Sequence, residues 1–151
     1  MLKKTFIVLL FSLILSGCGY MSVYKNIGQF NYKVLIVEHI GDRDMRNLIN
    51  SQLKKYSEIE SDKIFKIKIN TNYEKNITAK DTAGKATDYQ IKVTSSFNVE
   101  SETINKIIKI NETFNVKAMD NKFEEQRYDA IIKNNIANTI VKRIILQLSR
   151  N

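Results

Sequence analysis

The sequence predicts an α+β domain: a four-stranded mixed sheet with two helices packed on one face, in the order β-α-β-β-β-α. Three observations carry this. Hydrophobic residues recur at three- and four-residue steps in two segments, 42–58 and 121–149. They alternate with polar residues in three others, between 63 and 118. A short β-branched run, 32–40, precedes the first helical segment. Period 3.6 marks one apolar stripe of a helix, and period 2 marks one apolar face of a strand. Strands with one polar face want helices on the other face only.

The elements follow in order. "YKVLIVEHI" (32–40) reads as a buried strand. Asp42 or Asp44 can cap the next helix, whose apolar face is Met45, Leu48, Ile49, Leu53 and Tyr56. In "KIFKIKINTNYEKN" (63–76), Phe65, Ile67, Ile69, Thr71 and Tyr73 point one way, and Lys66, Lys68, Asn70 and Asn72 the other. "ITAKDTAGKATD" is polar, contains Gly84, and reads as a loop or bent hairpin connection. The third strand sets Tyr89, Ile91, Val93, Phe97 and Val99 inward. The fourth sets Ile108, Ile110, Phe114 and Val116 inward, with a bulge expected where alternation falters at Ile107 and Ile108. The last helix starts at Asn121 with Glu124 three residues on, as in a capping box. Its expected stripe is Phe123, Ala130, Ala137, Val141, Ile144 and Leu148.

The N-terminus has its own logic. Lys3 and Lys4 precede eleven largely apolar residues, "TFIVLLFSLIL". That run is shorter than the ~20 residues a bilayer span needs, but fits the core of a signal peptide. Leu15, Ser16, Gly17 and Cys18 follow, reading as a bacterial lipobox with the chain's only cysteine as acyl acceptor. The expected division is a signal peptide at 1–17, a lipidated tether at 18–30, and one α/β sandwich domain at 31–151. Several acyl chains make a stable anchor at roughly 0.8 kcal/mol per buried methylene. Gly19, rather than aspartate, favours the outer membrane and its periplasmic face.

Composition bounds the function. The chain has 151 residues, a formal charge of +8, 43% hydrophobic and 26% charged residues, enough for one domain with a real core. A single cysteine allows no internal disulfide. His39 is the only histidine, so no Ser-His-Asp arrangement, no metal site and no cofactor site is indicated, and the chain reads as a non-enzyme. "DTAGKAT" lacks the glycine-rich phosphate loop. Glu124 and Glu125 complement a helix dipole rather than forming a catalytic pair.

Positive charge remains. Lys66, Lys68, Lys92 and Lys109 share the polar sheet face, and Lys80 and Lys85 lie in the connecting loop. An exported protein has no nucleic acid as partner. Anionic lipid or a polar protein cavity suits such a face better. The envelope offers a phosphate-rich glycolipid, lipopolysaccharide, whose phosphates lysine can meet as a point charge.

These segments resemble the LPS-assembly lipoproteins of the LptE family. "CGYMSVY" is similar to the start of their mature chains, keeping Cys18, Gly19, Tyr20 and Tyr24, with Ser22 where proline is usual and Val23 where leucine is. "GKATDYQIKVTSSFNV" resembles their glycine, basic residue and alternating strand, and "FNVKAMDNKFEEQRYDAIIKNNIANTIVKRIILQL" their final strand and helix. The resemblance implies an outer-membrane lipoprotein that plugs the LptD β-barrel and binds lipopolysaccharide during its insertion into the outer leaflet. It carries lipopolysaccharide contact onto Lys85 and Lys122, with Lys80 beside them. A second reading from another class is an auxiliary lipoprotein of an ABC-type lipid transport system.

Overall fold

The computed structural model describes residues 31–150. Cys18, Gly19, the signal peptide at 1–17 and the tether at 18–30 lie outside the described residues. The elements are β1 (Lys33–Gly41), α1 (Arg43–Ser57), β2 (Ile64–Lys80), β3 (Ala86–Glu100), β4 (Asn105–Lys117) and α2 (Lys122–Leu148). The sheet order is β1-β2-β3-β4, with β1 parallel to β2 and the other neighbours antiparallel. The predicted α+β class, element order and mixed four-stranded sheet are all present.

Alternation decides the faces. Phe65, Ile67, Ile69, Ile91, Val93, Phe97, Val99, Ile108 and Ile110 are buried toward the helices. The open face carries Lys66, Lys68, Asn70 and Asn72 from β2, and Lys92 and Asn98 from β3. β1 reaches only as far as the Gly41–Thr71 pair, so β2 runs on from Asn72 without a β1 neighbour. Gly41 has φ +107°, and a Cβ there would overlap the Thr71 carbonyl, so only glycine fits where β1 turns into α1.

Asp42, rather than Asp44, caps α1, its side chain accepting from the Met45 amide at 2.9 Å. Asn121 caps α2, accepting from Phe123 N at 2.9 Å and Glu124 N at 3.4 Å. β1, expected as a buried strand, is an edge strand in which Val34 alone is buried and Val37 and Ile40 are exposed, because only β2 flanks it. Four further expectations change. The connection after β2 is shorter than the polar segment 77–88, because strand pairing continues to Lys80 and resumes at Ala86. The β3–β4 register is unbroken, so Ile107 is no bulge; it sits on the open face, 66% exposed. The irregularities fall instead between Ile36 and Glu38, and at the far end of β2. Phe114 is on the helix-facing side but remains 37% exposed.

The fourth change concerns α2. Its buried stripe is Ile132, Ile136, Ala137, Ile140, Val141, Ile144, Ile145 and Leu148, while Phe123 and Ala130 are exposed. Asp44 in the first turn of α1 meets Lys133, so the turns of α2 before it have no helix beside them to bury against. Those turns are held by charge. Lys75 Nζ lies 3.1 Å from Glu125 and 3.4 Å from Asp129, and Lys133 lies 2.8 Å from Asp44 and 3.6 Å from Asp129. Tyr73 donates its hydroxyl to Asp129 at 3.4 Å. Lys75 also sits over the Tyr89 ring and Lys133 over the Tyr73 ring. Burial opposes the charged form of Lys75, yet its two carboxylate partners raise its pKa above the usual lysine value.

Candidate functional site

Three lysines were expected to act together, and the β2–β3 hairpin explains how two of them are presented. The tip is "DTAGK". Asp81 folds it by accepting from the amides of Ala83 at 2.9 Å and Lys85 at 2.8 Å. Gly84, at φ +83°, closes the turn, its amide donating to the Asp81 carbonyl. Lys80 ends one strand and Lys85 begins the return, so both project at one end of the sheet. The Ala118 amide donates to the Thr87 carbonyl at 2.8 Å, bringing the β4–α2 junction beside this tip.

That junction carries Lys122, exposed at the start of α2, and two residues the sequence reading did not single out. Lys117 pairs with Asp88 across the β3–β4 ladder. Asp120 accepts from Lys85 Nζ at 2.8 Å. This contact raises the Lys85 pKa above the ordinary lysine value and lowers that of Asp120, both side chains being exposed. A hollow of about 330 Å³ lies here, lined by Asp81, Lys85, Thr87, Asp88, Lys117 and Asp120 among others.

The chemistry is therefore mixed. Asp81 is occupied by the turn and Asp88 accepts from the Thr87 hydroxyl at 2.9 Å. An incoming phosphate would take Lys85 from Asp120, and an exposed ion pair resists such exchange little. Lys117 could have been found from sequence: it ends the alternating strand three residues before the acidic Asp120, opposite a hairpin already rich in lysine.

His39 has a different role. An amide oxygen only accepts, so Nδ1 donates to Asn50 Oδ1 at 2.6 Å; in the neutral ring Nε2 then accepts from the Thr71 hydroxyl at 3.0 Å. Thr71 and Ser95, both fully buried, continue the chain at 3.1 Å. Burial holds the His39 pKa below its ordinary value, against the bond to Asn50, and Arg46 adds to the lowering. The ring is thereby spent on joining β1, α1, β2 and β3. Among the described residues no group of three or more acidic, histidine or cysteine side chains is arranged for a metal, and no helix is long and apolar enough to cross a membrane.

No family model matches this chain, and no curated protein does. Solved structures do. Rare lipoprotein B from Shewanella oneidensis superposes with a TM-score of 0.55 at 10% identity, over 79% of this chain and 96% of that one. An uncharacterized lipoprotein B from Nitrosomonas europaea superposes with a TM-score of 0.52 at 12% identity, over 81% of this chain and 90% of that one. At such identities the likeness is one of backbone architecture, and it spans nearly the whole of both neighbours. The chain has the α+β fold of these two bacterial lipoproteins.

Proposed function

We propose that this chain is an outer-membrane lipoprotein, acylated at Cys18, that plugs and supports an LptD-like β-barrel and binds lipopolysaccharide on its way to the outer leaflet. One coincidence carries the reading. A lipobox at Leu15–Cys18 precedes a domain whose fold is shared with proteins named as lipoproteins. The resemblance of "CGYMSVY" and of the hairpin and final helix to LPS-assembly lipoproteins supplies the finer part. A polar sheet face suits a polar barrel lumen. The lysines at the hairpin tip supply cations for lipid phosphates, and no enzymatic step is assigned.

Two experiments test it. Cys18→Ala abolishes fatty-acid labelling and leaves an uncleaved precursor; normal labelling of the variant sinks the lipoprotein reading. Affinity capture of the full chain from envelope extracts recovers a large β-barrel. Recovery of a permease or substrate-binding subunit in its place replaces this reading with the ABC-transport one.

A further inference from the structure

The C-terminal half of α2 holds no acid: after Asp129, residues 130–150 contain Lys133, Lys142, Arg143 and Arg150 and neither Asp nor Glu. Two of these cations are engaged. Lys133 is tied to Asp44 and Asp129, and Arg143 Nη1 lies 2.8 Å from Oε1 of the buried Glu112. Its N–H is not aimed at that oxygen, so the contact is coulombic rather than a hydrogen bond. Lys142 and Arg150 have no ion-pair partner among the described residues. They stand at four-residue steps either side of Leu146, which is 55% exposed. Ser149 keeps helical dihedrals (φ −70°, ψ −15°), so Arg150 continues the same stripe. Residues at i, i+4 and i+8 share one face of a helix.

This stripe is placed where the chain enters the domain. The Tyr32 hydroxyl donates to the Ile145 carbonyl at 2.9 Å, pinning the residue before β1 to the last turn of α2. Tyr56, in the last turn of α1, lies beside Tyr32, so both helices end here. α1 adds Lys54 and Lys55 to the same end. Glu58 offsets part of that charge, lying 4.0 Å from Lys54, and Glu60 follows it.

We infer that the Lys142–Leu146–Arg150 stripe seats the domain on the anionic lipid surface in which its own acyl chains are set. The inference rests on the anchored reading above. Lysine and arginine are drawn to anionic headgroups, and leucine enters the boundary beneath them. Three side chains alone would bind weakly. Thirteen steps separate Cys18 from Asn31, a span of roughly 45 Å at full extension. A tether that short makes the second contact intramolecular, so a modest patch suffices.

The test uses the full acylated chain in vesicles of phosphatidylcholine with or without phosphatidylglycerol. An environment-sensitive fluorophore is placed at Leu146→Cys or, on the open sheet face, at Asn98→Cys; the Cys18 thiol is already consumed by acylation. The 146 probe shifts to the blue only with phosphatidylglycerol, and high salt reverses the shift. Lys142→Glu with Arg150→Glu abolishes it, and the 98 probe does not respond. Equal emission at 146 in both vesicles, in an acylated chain, overturns the inference while leaving the anchor intact. A mass showing no acyl group on Cys18 overturns the anchored reading and this inference with it. Wild-type salt dependence keeps the test decisive should the double variant fold poorly.

Discussion

His39 shows what one half-buried polar side chain can demand. Its folded pKa is depressed, so between the unfolded value of about 6.5 and the folded one the unfolded chain binds the extra proton. The stability tied to the neutral ring is complete above about pH 6.5 and falls as pH drops below it. The thermal midpoint therefore decreases from neutral to mildly acidic pH, and His39→Gln flattens that part of the profile; an unchanged slope in the variant would assign the dependence elsewhere. Lys85 and Lys122 belong to the same scale. Lys85→Asp with Lys122→Asp lowers lipopolysaccharide affinity by about tenfold, given the strength of charge-assisted bonds, and leaves the melt intact because both are exposed. Wild-type affinity in the folded double variant would move the contact to the open face at Lys66, Lys68 and Lys92. The sequence made Lys85 visible through its glycine turn. It could not show Asp120 as the partner, because that pairing spans 35 residues and depends on how β4 returns beside the hairpin.

Between the elements, the two helices divide the labour unequally. α1 buries Met45, Ile49, Leu53 and Tyr56 over one face, as its spacing foretold. α2 is buried only over its later turns. Ile144→Ala removes a fully buried side chain and costs about 2–5 kcal/mol, whereas Phe123→Ala at an exposed position stays within about 0.5 kcal/mol. Denaturant melts of the two variants check this, and equal costs would mean that the first turns are packed. Periodicity placed both residues on one stripe, because a seven-residue step looks apolar at 123, 130 and 137 alike. Which turns are covered depends on where α1 begins to run beside α2, and no local pattern encodes that. One signal was legible in retrospect. Lys75 continues the inward series Phe65, Ile67, Ile69, Thr71 and Tyr73, and a lysine in that register calls for carboxylates beside it, which the half-buried Glu125 and Asp129 provide.

For the molecule as a whole, the open face is settled by parity: mostly polar residues, asparagine, threonine and lysine among them, alternate there around the exposed Ile107 and give a third layer little to bury. The strand order also has a consequence in time. Each strand lies beside the one before it in the chain, and β2 to β4 form two antiparallel hairpins closed by tight connections. Only the parallel β1–β2 pair must wait for a crossover, the helix α1, to be in place. Such local connectivity shortens the search for native contacts, so folding starts in the central hairpin and spreads outward. Val93→Ala in β3 slows refolding, while Ile36→Val in β1 chiefly speeds unfolding; stopped-flow chevrons separate the two. A chain that completes its sheet in this sequence leaves the parallel edge strand as the last piece to join.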